Sequence, residues 1–196
     1  MKLDYTPRIL GLGGTTRQGS SSERALRAAL DLARAAGAET DIVLADELDL
    51  PAYAPERGLR GPQADRLLEL VRRADGVIIA SPAFHGGPSG LIKNALDHIE
   101  ELRTDERPYL DGRAVGCIVC AAGWQATTTT LASLRSTVHA LRGWPTPLGV
   151  TINTTVVGDV DPIAAASPQL GLLVDQVLGF ARGQRAAAGL EIAALS

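Results

Sequence analysis

Five short apolar runs alternate with five stretches of helical spacing along this chain, and the alternation narrows the possible folds more than any other feature. The runs are RILGL at 8–12, TDIVLA at 40–45, GVIIAS at 76–81, AVGCIVCA at 114–121 and, less cleanly, PLGVTINTTVV at 147–157. Between them apolar residues recur every three or four positions: Leu26, Ala29, Leu30 and Ala33; Ala64, Leu67, Leu68 and Val71; Leu91, Ala95, Leu96 and Ile99; Leu131, Leu134, Val138 and Leu141. A fifth set, Leu170, Leu173, Val174, Val177 and Leu178, follows the last run. Runs that are apolar at every position, rather than at every second one, suit strands buried on both faces. The expected architecture is α/β: a doubly wound, five-stranded parallel sheet with helices on both faces, forming a single domain over 1–196. The segment 182–196, RGQRAAAGLEIAALS, carries no motif and is expected to fray or to cover a neighbouring subunit.

Several function classes are set aside by charge and composition. Nineteen basic residues against 22 acidic ones give a net charge of −3, so no general field draws in nucleic acid or an anionic membrane. The N-terminal stretch is too short and polar for a signal peptide, and no run approaches a membrane span, which makes a cytoplasmic protein the expectation. Cys117 and Cys120 lie in an apparent strand, where residues three apart face opposite ways, so they read as two core thiols and not as a redox pair. No metal-ligand spacing is evident. His98 and His139 fall on expected helices and are read as surface or interface residues.

In such a sheet, ligands bind beyond the carboxyl ends of the strands, so the loops that follow strands deserve the closest reading. After the first strand comes GGTTRQGSSSE, Gly13 to Glu23. Ser20 and Glu23 have capping-box spacing, which starts a helix near Ser21 and aims its unpaired N–H groups into the loop. Arg17 adds a full positive charge. The loop lacks the Gly-Lys-Ser/Thr of a triphosphate site and the third glycine of a dinucleotide fingerprint. Hydroxyls with one arginine suit a terminal phosphate monoester; the alternative is a well-capped helix alone. The second loop, SPAFHGGPSGLIKNALDHIE at 81–100, is rigid and poor in side chains, with Phe84 and His85 offering planar faces to a flat ring. The third, AAGWQATTTT at 121–130, contains Gly123, Trp124 and Gln125, and its threonine run reads as an N-cap with polar spacers.

The first two loops together resemble the NADPH-dependent FMN reductase family. GGTTRQGSSSE is similar to its Gly-Ser-x-Arg-x-x-Ser phosphate loop, and SPAFHGGPSGLIKNALD to its Ser/Thr-Pro-x-Tyr-x-x-x-x-x-Gly-x-x-Lys-Asn-x-x-Asp stretch, over roughly residues 8–157. The resemblance implies a flavodoxin-like fold. It also implies that Thr15, Arg17, Ser20 and Ser22 hold the phosphate of FMN, and that Pro82, Ala83, Phe84, His85 and Gly86 line its ring. Lys93, Asn94 and Asp97 would begin the helix behind that ring, and Gly123 would lie against it. Trp124 either reaches the ring and its substrate or fills a subunit contact. Ala83 and His85 stand where Glu and Asn are frequent, Thr15 where Ser is common.

The activity implied is hydride transfer from NADPH or NADH through FMN to a small-molecule electron acceptor such as free flavin, a quinone, an azo dye or a metal oxyanion. The chemistry belongs to the cofactor, so no catalytic side chain is required. A homodimer or homotetramer would complete each pocket. Two other readings stay open at this point: an FMN electron carrier without NAD(P)H activity of its own, and a member whose flavin site serves biosynthetic chemistry.

Overall fold

The computed structural model describes residues 5–58, 61–155 and 160–194. Its strands are β1 (Arg8–Gly13), β2 (Glu39–Val43), β3 (Gly76–Phe84), β4 (Gly87–Pro88), β5 (Ala114–Ala121), β6 (Trp144–Pro145) and β7 (Val150–Asn153). Its helices are α1 (Ser21–Ala35), α2 (Pro62–Arg73), α3 (Gly90–His98), α4 (Trp124–Ala140), α5 (Pro162–Ala165) and α6 (Ser167–Ala194). All five expected helical stripes fall on helices, with Ile99 and Leu141 one residue past the ends of α3 and α4; each of the five apolar runs overlaps a strand of the parallel sheet, to which β6 at 144–145 adds a piece from outside them.

That sheet runs β2-β1-β3-β5, with β6 and β7 both pairing to the outer side of β5. The fifth position is thus split into two pieces rather than filled by one strand over 147–157, of which 156 and 157 lie outside the described residues. The cause is local: Pro147 has no N–H to give a ladder, and between the pieces the Thr146 hydroxyl donates to Leu148 O at 2.7 Å while Leu148 N–H donates to Gln176 Oε1 at 3.0 Å.

Alternate residues of each central strand feed two separate cores, as the pleat demands. Leu12, Val77, Ile79, Val115, Cys117 and Val119 face α2, α3 and α4, whereas Ile9, Ile78, Ala80, Ile118 and Cys120 face α1 and α6. The two cysteines are free and buried, on opposite faces of the sheet. Arg113, which is 1% exposed, closes the bottom of the sheet. Its guanidinium donates to the carbonyls of Ala74, Tyr109, Asp111 and Arg72 at 3.0 to 3.3 Å, which ties the end of α2 to the start of β5.

The segment 182–194 continues α6 as helix, in keeping with its run of alanines. Arg182 donates to Ala36 O at 2.9 Å, and the Arg185 guanidinium lies 5.6 Å from the Tyr5 ring centroid.

Candidate functional site

Parallel registers bring the ends of β1, β3, β5 and β7 to one edge of the sheet, with Gly13 opposite Ala80, Ser81 opposite Val119, and Ala121 opposite Asn153. A cleft of about 510 Å³ opens there, lined by Gly14, Thr15, Thr16, Arg17, Ser20, Ser21, Ser22, Pro82, Phe84, Ser89, Gly90, Leu91, Cys120 and Thr154.

One wall of this cleft is the start of α1. Ser20 is its N-cap, with its hydroxyl accepting Glu23 N–H at 3.3 Å. Glu23 reaches back to Gly19 N–H at 2.8 Å, one residue further out than an ordinary capping box, and also accepts from Arg27 Nε at 2.8 Å. The carboxylate is therefore engaged by Gly19 and Arg27. Ser21 and Ser22, at the open end of the helix, carry N–H groups for which an α-helix supplies no internal acceptor. Ser22 is buried with its hydroxyl 3.3 Å from that of Ser20. Thr15 turns the loop upon itself, donating to Arg17 O at 3.0 Å and accepting Arg17 N–H at 3.1 Å. Five hydroxyl residues from this loop and Arg17 line the cleft, and among the described residues no carboxylate does. That donor set suits an anion with several acceptor oxygens.

The facing wall is a hairpin. Strand β3 does not stop at Ser81 but runs on to Phe84, and β4 returns antiparallel with Phe84 opposite Gly87. His85 and Gly86, at φ of 51° and 85°, form the tip in two successive left-handed conformations. Of the five ring residues expected here, Pro82 and Phe84 line the cleft. Ala83 turns to the core, His85 stands at the exposed tip, and Gly86 borders a second hollow of about 480 Å³ with Ala122, Gly123, Trp124, Gln125, Ala126 and Thr129. Phe84 and Trp124 are 56% and 57% exposed, leaving two aromatic faces open on this edge.

The third loop differs from its reading as a capped helix start. Its N-cap is Gly123, whose φ of 136° only glycine tolerates well, and α4 begins at Trp124. The threonines lie inside the helix: Thr127 and Thr128 donate to Trp124 O and Thr129 to Gln125 O, all within 2.9 Å, while Thr130 donates across to Gly87 O at 3.3 Å.

Sequence reasoning missed Ser89, Gly90 and Leu91 as cleft residues. The signal present was a serine directly before an apolar helical stripe, and Ser89 is indeed the N-cap of α3, accepting Ile92 N–H at 3.2 Å. It missed Thr154 and Cys120 because nothing local marks them. Burial pushes the Cys120 thiol up to about 12, so it enters the cleft as a neutral apolar group.

Helix α3 bears Lys93, Asn94 and Asp97 away from the cleft lining. Lys93 Nζ pairs with Asp97 at 2.6 Å on the surface, and Asn94 bonds the segment after β2. His98 is a correction: it is 1% exposed, not at a surface, because the segment around Pro51 folds over it. Its Nε2 lies 3.0 Å from Pro51 O and its ring meets that of Tyr53 edge-on at 5.1 Å. Its Nδ1 is the one buried side-chain N or O atom without a partner among the described residues. His139 is exposed, as expected. Among the described residues no group of three His, Cys, Asp or Glu could hold a metal, and no helix is long and apolar enough to cross a membrane.

Residues 7–156 match the model of a protein family described as NADPH-dependent FMN reductase. An NAD(P)H-dependent FMN reductase of Pseudomonas aeruginosa is 30% identical over 133 residues, covering 67% of this chain and 69% of that protein. An NADPH azoreductase of a Bacillus species is 26% identical over 133 residues, covering 67% and 71%. Among solved structures, an NAD(P)H:acceptor oxidoreductase from Paracoccus denitrificans superposes with a TM-score of 0.69 at 18% identity, over 90% of this chain and 99% of that one. This last likeness is one of fold.

Proposed function

We infer from the family to which this chain belongs, the NADPH-dependent FMN reductases, that it is an FMN-dependent NAD(P)H oxidoreductase, and we assign its cleft as the cofactor site. The observation that carries the assignment is the donor set: the capped start of α1, its free-ended N–H groups, five hydroxyl residues and Arg17 converge on one cleft, whose lining holds no carboxylate among the described residues. Those groups suit the monophosphate end of FMN, and the side-chain-poor hairpin at Pro82–Gly87 suits a planar ring.

Bound FMN supplies the chemistry, taking hydride from NAD(P)H and passing it to an acceptor. The chain's own part is to bind and orient. Arg17 and the hydroxyls of Thr15, Ser20 and Ser22 fix the phosphate. Pro82, Ala83, Phe84, His85 and Gly86 form the hairpin that positions the ring edge, with backbone N–H groups to stabilise negative charge there. Phe84 and Trp124 leave a flat, open approach for a nicotinamide and then for a small planar acceptor such as a flavin, a quinone or an azo compound. No side chain is assigned as catalytic. In this reading the protein works in the cytoplasm as a homodimer or homotetramer, and the shallow face of α4 at Leu131, Ala132, Arg135 and His139 suits the contact between copies.

The test is direct. Purified protein should take up FMN and turn yellow, and should oxidise NADPH or NADH when flavin, quinone or azo acceptor is supplied. A protein that binds no FMN and oxidises neither nucleotide would sink the assignment.

A further inference from the structure

We propose that Ser89 is a positioning residue that couples the phosphate loop to the ring hairpin, so that the two halves of the cleft bind as one; this rests on the assignment of FMN made above. Ser89 is 4% exposed and every polar atom it has is in use. Its hydroxyl donates to Gly14 O at 2.9 Å and accepts Ile92 N–H at 3.2 Å. Its own N–H donates to the Ser81 hydroxyl at 2.9 Å, and that hydroxyl donates to Pro82 O at 2.7 Å. Its carbonyl accepts Lys93 N–H at 2.9 Å.

Capping α3 needs only the bond from Ile92. The bonds to Gly14 and Ser81 are additional: the Ser89 hydroxyl holds the residue that follows β1 and the Ser89 backbone N–H holds the end of β3, so one residue, 75 positions from Gly14 in sequence, joins the two. The contact is tight as well as hydrogen-bonded: a Cβ added to Gly14 would sit 3.0 Å from the Ser89 hydroxyl and 2.1 Å from Ile92 Cγ1. Gly14 thus has no side chain because α3 occupies the space. If the Ser89 hydroxyl is removed, the buried Gly14 carbonyl loses this donor, and the Gly14 N–H bond to Ala80 O at 3.0 Å is left to hold the start of the loop to β3, so Thr15 and Arg17 are less firmly placed relative to Pro82 and Phe84. A phosphate held at one end would then no longer place the ring at the other.

The experiment measures dissociation constants of FMN and riboflavin for the full-length protein and for Ser89→Ala, Ser89→Thr and Ser81→Ala, with amide exchange of each apoprotein alongside. Ser89→Ala should lower the preference for FMN over riboflavin by about five- to tenfold, the scale of one neutral hydrogen bond, and Ser89→Thr should restore it. Ser81→Ala keeps the cap bond to Ile92 and should lower the preference in the same direction, so it carries the test if Ser89→Ala does not fold. Loss of thermal stability with an unchanged FMN-to-riboflavin preference would overturn the proposal, leaving Ser89 as a helix cap. Amide exchange separates this from the cofactor reading. Faster exchange at both Gly14–Arg17 and Ser81–Phe84 supports the coupling even in a protein that binds neither flavin, and a change confined to the first turn of α3 overturns it.

Discussion

The carboxamide of Asn94 accepts the backbone N–H of Tyr53 at 2.8 Å, and its Nδ2 donates to the carbonyls of Leu50 and Pro51 at 3.1 Å each. One side chain of α3 thereby satisfies three backbone groups of a segment that has no strand to pair with. Its neighbour Lys93 makes an exposed pair with Asp97 four residues on. Asn94→Ala should cost about 2–3 kcal/mol, from several partly buried hydrogen bonds lost together, whereas Lys93→Ala should cost about 0.3–0.5 kcal/mol. Urea denaturation midpoints check this, and equal losses at the two positions would refute the separation.

Arg17 lines the cleft beside the open end of α1. If it meets a phosphate, Arg17→Ala should weaken FMN by about 10- to 100-fold, the range for charge-assisted hydrogen bonds of about 1.5–3 kcal/mol. Riboflavin, which lacks the phosphate, should be nearly unaffected, and added salt should narrow the difference in the native protein. Titration of both flavins by fluorescence measures it; an equal loss for both would mean that the loop holds something else.

Which parts of this molecule could be read from sequence follows from the range of the interactions involved. The sheet, its helices and the Ser20 cap were legible because periodicity and capping are local, extending three or four residues. The hairpin at Phe84–Gly87 was read as loop because its strand pairing rests on the left-handed pair His85 and Gly86, and a non-glycine residue at positive φ leaves little trace in sequence. The threonine run was misread as a cap because only the three-dimensional chain shows Gly123 taking that place. Ser89 and His98 eluded the reading for a different reason: their partners Gly14 and Pro51 lie 75 and 47 residues away.

At the hairpin tip, His85 holds φ at 51° beside Gly86 at 85°. An L-residue pays for that conformation, by about 1 kcal/mol, and a β-branched one by more. His85→Gly or His85→Asn should therefore leave stability unchanged or raise it slightly, whereas His85→Val should lower it by about 1–2 kcal/mol. Denaturation curves for the three variants decide the matter. A Val variant as stable as the Asn one would show that the tip is not held in this turn.

Cys117 and Cys120 give the fold an alkaline limit whose sign can be worked out. Burial pushes both thiols from 9.0 up to about 12, because the thiolate has no water and little positive charge to stabilise it. Below pH 9 both the folded and unfolded thiols keep their protons, and the stabilising contribution of the neutral buried groups is fully present. Between pH 9 and about 12 the unfolded chain loses protons that the folded chain retains, so stability falls as pH rises, by up to about 1.4 kcal/mol per pH unit for each thiol. Tyr53, raised to about 12 by burial and by its bond to Glu101, acts in the same direction but from pH 10 upward. Unfolding free energies measured from pH 8 to 10.5 should thus decline more steeply in the native protein than in a Cys117→Ala, Cys120→Ala double variant, in which the tyrosine contribution remains. The same burial should keep the Cys117 thiol, 0% exposed, silent towards a disulfide reagent at pH 8 until the chain is unfolded, whereas Cys120 borders the cleft. Parallel slopes for the two proteins, or prompt reaction of Cys117 in the folded state, would refute the burial of these thiols.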